Sequence, residues 1–195
     1  MNRLIFILIL VPFLHLKGYG QEKLVRDLDN DKVNDTVYVD VERSTIVCKL
    51  SGQQFKKMES MPIETLNPQA GVAATKNGFS FFNDWMRAGY KNQFRYDPKA
   101  KKMQLIGMSR YEFGNAANDG SGESSVNLLT NDYVGKWNYY DERKEELVSI
   151  PAIKTKMILK KTWLDSFNEN TYFDYADKCA DLYDKQKQIL MRKRK

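Results

Sequence analysis

Short apolar runs with a two-residue period recur from residue 36 to residue 150, and the period lengthens to three and four only beyond residue 170. That switch constrains the fold most, because alternate side chains leave opposite faces of a strand, whereas a 3.6-residue period builds one face of a helix. Val37, Val39 and Val41 alternate with Thr36, Tyr38 and Asp40; Ile46, Cys48 and Leu50 repeat the pattern before Ser51-Gly52 turns the chain back through Gln54 to Met58. Residues 72–75 and 79–82 flank Lys76-Asn77-Gly78, where Asn-Gly is expected to take the positive φ angles of a tight hairpin. Asp97-Pro98-Lys99 joins 94–96 to 103–111, residues 114–122 (GNAANDGSG) read as a loop, and further strands are expected over 126–130, 134–139 and 146–150. Tyr172, Tyr175, Ala176, Cys179, Leu182, Tyr183, Gln186 and Ile189 then form a helical stripe over 171–191, with Asn170 or Thr171 as its cap. The expected fold is mainly β, with antiparallel strands in a sandwich or propeller-like arrangement and one C-terminal α-helix. It occupies a single domain over 21–195 that ends in a basic tail, 192–195.

The N-terminus reads differently from the rest. Asn2 and Arg3 open a short positive stretch, Leu4 to Leu16 is almost wholly apolar, and Gly18-Tyr19-Gly20 places small residues at −3 and −1 of a cleavage point before Gln21. A secretory signal peptide over 1–20 is predicted. The alternative, a membrane anchor, needs about 20 apolar residues, and this run is shorter and broken by Pro12 and His15. The mature chain, 21–195, is therefore expected to be exported, to the periplasm or the cell exterior, with no transmembrane segment.

Export bears on three compositional facts. His15 is the single histidine, so the mature chain has no imidazole, which excludes Ser-His-Asp and Cys-His catalysis and HExxH zinc sites. The formal charge of +6 falls to +4 without Arg3 and Lys17, and to −2 without the six basic residues that follow Asp184, so the body calls for no nucleic-acid partner. Cys48 and Cys179 are a disulfide candidate in an oxidising compartment, and two separately buried thiols are the alternative.

The strongest local signal is Asp27-Leu28-Asp29-Asn30-Asp31-Lys32-Val33-Asn34-Asp35. Acids at positions 1, 3, 5 and 9 of a tight loop can turn inward together, joined by the carbonyl of Val33 at position 7. Hard oxygen ligands in that number suit a structural Ca²⁺, which takes about six to eight of them. The alternative is an acid-rich turn that caps a hairpin through Asx bonds. An EF-hand is excluded, because Tyr38 stands where its bidentate Glu would be and a strand follows.

The spacing resembles the strand-loop-strand calcium loop of FG-GAP and VCBS-type families, D-x-[DN]-x-D-G-x-x-D, with Asp27, Asp29, Asp31 and Asp35 at its ligand positions. Lys32 replaces the usual glycine, and Asn30 stands at the other common glycine position; Asn tolerates a left-handed backbone whereas Lys adopts it at a cost, so Lys32, with its added positive charge, is expected to weaken metal binding. The runs Gln93-Phe94-Arg95-Tyr96-Asp97, Met103 to Gly107 and Ser125 to Thr130 are similar to a segment of exported bacterial lysozyme-inhibitor and immunity-type proteins, with Asn131 where that family has glycine. This resemblance implies an antiparallel β architecture and a binding or inhibiting role.

Candidate working surfaces follow from it. Lysozyme inhibitors present a Ser-Gly-containing loop to the enzyme cleft, so Asp119, Ser121 and Gly122 are candidate partner-binding residues, with an ordinary connecting loop as the alternative. Trp85, Arg87 and Tyr90 form a second candidate, a large aromatic, a cation and a tyrosine around a turn. The phenylalanines of 79–94 are expected in the core. Asp84, Glu112, Asp119 and Glu123 are the acids that a carboxylate-only glycosidase could use. The expected function is a non-enzymatic periplasmic inhibitor or immunity-like protein against a cell-wall-degrading enzyme, its partner a protein or a glycan of the cell envelope. The alternatives are a carbohydrate- or surface-binding accessory domain and a glycosidase.

Overall fold

The computed structural model describes residues 22–192, so the signal-peptide segment and the last three residues of the basic tail lie outside the described residues. Within them the two-residue period becomes two antiparallel sheets. Strands β1 (Leu24–Arg26), β2 (Asp35–Asp40), β3 (Thr45–Lys49) and β4 (Lys57–Glu59) form the smaller, in that order. In β2 the alternation resolves as read: Asp35, Val37 and Val39 point inward, while Thr36, Tyr38 and Asp40 stay half-buried.

The larger sheet is an open meander of β5 (Gly71–Thr75), β6 (Gly78–Asp84), β7 (Ala88–Asp97), β8 (Lys102–Glu112), β9 (Gly122–Asn127) and β10 (Asp132–Asp141). Its last edge is shared by β11 (Glu146–Ser149), opposite Asn138 to Asp141, and β12 (Ile153–Lys156), opposite Asp132 to Gly135. These two are one edge interrupted at Ile150-Pro151, because proline has no N–H to give the ladder. A register shift at Gln93/Phe94, with Ile106 as the extra residue between Leu105 and Gly107, bends the β7–β8 pair.

Helix α1 (Glu169–Arg192) lies across one face of this sheet. Tyr172 stacks on Tyr90 with ring centroids 4.0 Å apart, and Tyr175 shares a 2.8 Å hydroxyl–hydroxyl hydrogen bond with Ser124. Phe167, just before the helix, sets its edge against Phe81 and Phe94. Each such ring, fully buried, contributes about 1.5–3 kcal/mol. The core runs on without a break through Ile46, Cys48 and Ile63, and the backbone N–H of Met61 donates to the carbonyl of Phe167, so the small sheet and the helix entry are tied together.

Mainly antiparallel β with a single C-terminal helix is the architecture that the periodicity predicts, and the differences lie at element ends and in two short strands. The helix begins at Glu169: Asn168 caps it, its side-chain oxygen accepting the Thr171 N–H at 3.1 Å, while the buried Glu169 carboxylate accepts the Thr65 N–H at 3.0 Å. That tertiary bond, with a negative charge welcome at a helix start, moves the cap two to three residues earlier than Asn170 or Thr171. The turn at Lys76-Asn77 contains no left-handed residue; Gly78 alone has positive φ, +158°. Strand β9 starts at Gly122, inside the segment expected to be loop. Strands β1 and β12 were not expected, since three or four residues are too few to display a period.

Candidate functional site

The acidic loop closes between β1 and β2, and its centre is Asp35. Fully buried at the start of β2, Asp35 accepts the N–H groups of Leu28 at 2.6 Å, Asp29 at 3.3 Å and Ser51 at 2.7 Å, and the Ser51 hydroxyl at 3.0 Å. Asp27 folds over the loop, accepting the Asn30 and Lys32 N–H groups at 2.7 and 3.0 Å. Asn30 and Lys32 take φ of 67° and 71°, the left-handed backbone expected at the two glycine positions. Asp31 accepts the Val33 N–H and the Ser51 hydroxyl.

Of the five expected ligands, the structure gathers three: Asp27, Asp29 and Asp35 each offer an oxygen within 4.8 Å of the others'. Asp31 and Val33 stay on the exposed side of the loop. Burial, then the charge of Asp35, raises the Asp29 carboxyl above the ordinary range despite a 3.2 Å hydrogen bond from Gly52, and its Oδ1 is buried without a partner. A second carboxylate this close is costly unless a cation joins it. Three carboxylates and one orphaned oxygen, with no sulfur or imidazole in the group, fit a hard divalent cation.

Ser51 and Gly52 complete the site from the β3–β4 turn, and sequence reasoning had them only as a turn. A Cβ on Gly52 would stand 2.7 Å from Asp29 Oδ2, so glycine is what admits the carboxylate. The signal was present in the Ser-Gly pair, but nothing local says which loop it faces. Tyr96 also borders the loop: burial, then Asp29, Asp35 and Asp31, push its phenol up.

The partner-binding candidates gather at the other end of the large sheet. Trp85, Met86 and Arg87 form the tip between β6 and β7, where Trp85 donates to the Thr65 carbonyl at 3.0 Å and packs on Tyr90 and Tyr172. Arg87 reaches the carbonyls of Phe113, Gly114 and Asn115 at 3.1–3.3 Å, pinning the 113–121 loop against the tip. Tyr90 is 1% exposed and belongs to the core, with its hydroxyl bonded by Asn83. Asp119 faces the helix, where Lys187 sits 2.9 Å from both carboxylate oxygens and Tyr183 donates at 3.2 Å. Ser121 is held by Asn138, and Gly122 passes so close to β10 that a Cβ would meet the Lys136 carbonyl at 2.1 Å. Between these anchors Met86 (92% exposed) and Phe113 (50%) face solvent. Neither was singled out from sequence, although Met86 stood between two residues that were.

Cys48 and Cys179 are both free and buried, so the two-thiol alternative is the one observed and the disulfide candidate is not formed. Cys48 lies in β3 opposite Met58 and Val37, whereas Cys179 on α1 is 3.4 Å from Ser124. Three of the candidate acids are paired, Glu112 with Arg110, Glu123 with Lys136 and Asp119 with Lys187, while Asp84 lies beside the Tyr111 hydroxyl with its Oδ1 buried and without a hydrogen bond. Among the described residues no helix is long and apolar enough to cross a membrane. No family model, curated protein or solved structure matches the chain.

Proposed function

We propose that this chain is an exported Ca²⁺-binding protein that works by binding rather than by catalysis, as an inhibitor or immunity-like protein directed at a cell-wall-degrading enzyme. The observation that carries the reading is the end of the large sheet, where the exposed Met86 and Phe113 project from a tip and a loop that are already fixed. Arg87 spans three loop carbonyls, and Asp119 holds the same loop to the helix. Apolar side chains on a pre-ordered support lose little entropy on docking, which is how a small surface reaches useful affinity.

Binding is favoured over glycoside hydrolysis because three of the four candidate acids, Glu112, Glu123 and Asp119, are each paired with a cation, whereas that reaction needs two carboxyl groups free to act. In the acidic loop Asp27, Asp29 and Asp35 would hold the Ca²⁺, which cancels their mutual repulsion and fixes β1 to β2 and the β3–β4 turn. The ion's place in this reading is structural.

The experiment is retention of cell-envelope components on the immobilised protein, followed by peptidoglycan clearing with a panel of lysozymes. A muramidase that is retained and slowed supports inhibition. Retention of polysaccharide with every lysozyme at full rate would remove the inhibitor reading and leave the accessory-domain alternative.

A further inference from the structure

The face of the large sheet opposite α1 stays open to solvent, and its middle is a trough. Cross-strand register sets Lys91, Ser109 and Ser125 in one row across β7, β8 and β9, with Gln93, Gly107 and Asn127 in the next. Small residues at the centre of both rows lower the floor along β8, and longer side chains stand around it. Two adjoining depressions of about 330 and 560 Å³ result, sharing Lys91, Ser109 and Ser125. That size is typical of a ligand cleft.

The trough's unpaired groups define its ligand. Lys91 and Arg95 have no ion pair or side-chain hydrogen bond among the described residues, and the same holds for the hydroxyls of Ser109 and Ser125 and the amide of Gln93. The acid in the lining, Glu123, is exposed at its edge and lies 3.2 Å from Lys136, so it is not paired with Lys91 or Arg95. The site therefore offers unpaired positive charge over a floor that mixes neutral hydrogen-bonding groups with the aliphatic Ile106, Val134 and Leu129, with the Tyr111 ring at one end. Lys91 and Arg95 are four residues apart on one strand, about 13 Å, so one linear chain can meet both where a single small anion cannot. Two free cations are too few for a nucleic acid.

We propose that this trough binds a linear oligosaccharide bearing carboxylates, with Lys91 and Arg95 taking the carboxylates and Ser109, Ser125 and Gln93 the sugar hydroxyls. The site lies on a different face from the Met86–Phe113 end and needs no metal, so it stands or fails apart from the inhibitor reading.

The test is an amide-resolved NMR titration of the purified protein with tetragalacturonate, without divalent cations, against maltotetraose and a polyphosphate of matched charge. Tetragalacturonate is expected to shift the amides of Lys91, Gln93, Gly107, Ser109 and Ser125, and maltotetraose to leave them still. Replacing Lys91→Ala weakens the tetragalacturonate affinity by about fivefold, as does Arg95→Ala, the worth of one partly exposed ion pair. Ser125→Glu, which puts a carboxylate on the exposed floor, abolishes the shifts while the rest of the amide spectrum is unchanged. No shift on these strands at millimolar tetragalacturonate, or undiminished affinity in all three variants, overturns the proposal. Equal affinity for polyphosphate overturns the sugar assignment.

Discussion

The ammonium of Lys187, on the last turns of α1, lies 2.9 Å from both carboxylate oxygens of Asp119 in the β8–β9 loop. The pair is about three-quarters buried, with side-chain exposures of 23% and 25%. Partial burial works against the charged form of Asp119, but the Lys187 ammonium and the Tyr140 N–H outweigh it and hold the carboxyl below its usual range. For Lys187 burial is likewise outweighed, by Asp119 and Tyr183, and its pKa is raised. A depressed carboxylate stabilises the fold above its unfolded value near 3.8 and loses that contribution as pH falls through the folded value. Asp119→Asn and Lys187→Met are each expected to lower stability, with a coupling of about 1 kcal/mol in a denaturant double-mutant cycle at pH 7. That coupling should fade only as pH falls below 3.8 and through the lower folded value of Asp119; a coupling of zero at pH 7 would show that the pair does not hold the helix.

Beneath the helix sits a buried polar side chain with no use for its polarity. Asn92 is fully buried on β7 between Phe81 and Met108, and neither its amide nitrogen nor its oxygen has a partner. An unsatisfied buried group costs about 1–3 kcal/mol, so Asn92→Leu is expected to raise the thermal midpoint by several degrees. A lower midpoint would mean that the amide is satisfied by an ordered water in solution.

Two backbone positions govern the acidic loop. Lys32 is held at φ 71°, where a side chain costs about 1 kcal/mol, so Lys32→Gly is expected to stabilise the protein and tighten Ca²⁺, removing strain and a positive charge together. Gly52→Ala should do the reverse by driving Asp29 out of the cluster. Calorimetric titration with Ca²⁺ checks both, and Asp29→Asn should abolish the heat. Wild-type protein with neither heat nor a gain in melting temperature at millimolar Ca²⁺ would remove the metal from the account.

The thiols give a chemical readout. Burial, then Asp35 and Asp29, push the Cys48 thiol far up, and Cys179 is enclosed between α1 and β9. A thiol reagent at pH 8 should label neither in the folded protein and both after denaturation without reductant. Failure to label after denaturation would mean that the two had paired.

The fold was legible where a period had room to show. Val37 and Val39 in β2, and Tyr172, Tyr175 and Cys179 in α1, announced their faces because several turns of the pattern were present. Val25 in the three-residue β1 had no such run. The loop Asp27–Asp35 was legible because its acids are close in sequence, whereas Ser51 and Gly52, which close the cluster, lie on another hairpin. Tyr90 could not be told from a binding residue because its burial depends on Tyr172, 82 residues later. The open trough was invisible for the same reason: Lys91, Ser109 and Ser125 become neighbours only through strand register.

The Met86–Phe113 end of the large sheet carries the proposed function, and one assay addresses it. Peptidoglycan clearing by the most strongly affected lysozyme of the panel should be measured against wild-type protein and the double variant Met86→Glu, Phe113→Glu, both side chains being solvent-facing and outside the core. The account predicts inhibition by the wild type and a rise of about tenfold or more in the concentration needed by the variant, at unchanged melting temperature. Inhibition undiminished in the double variant, or no lysozyme slowed by the wild type, would contradict it.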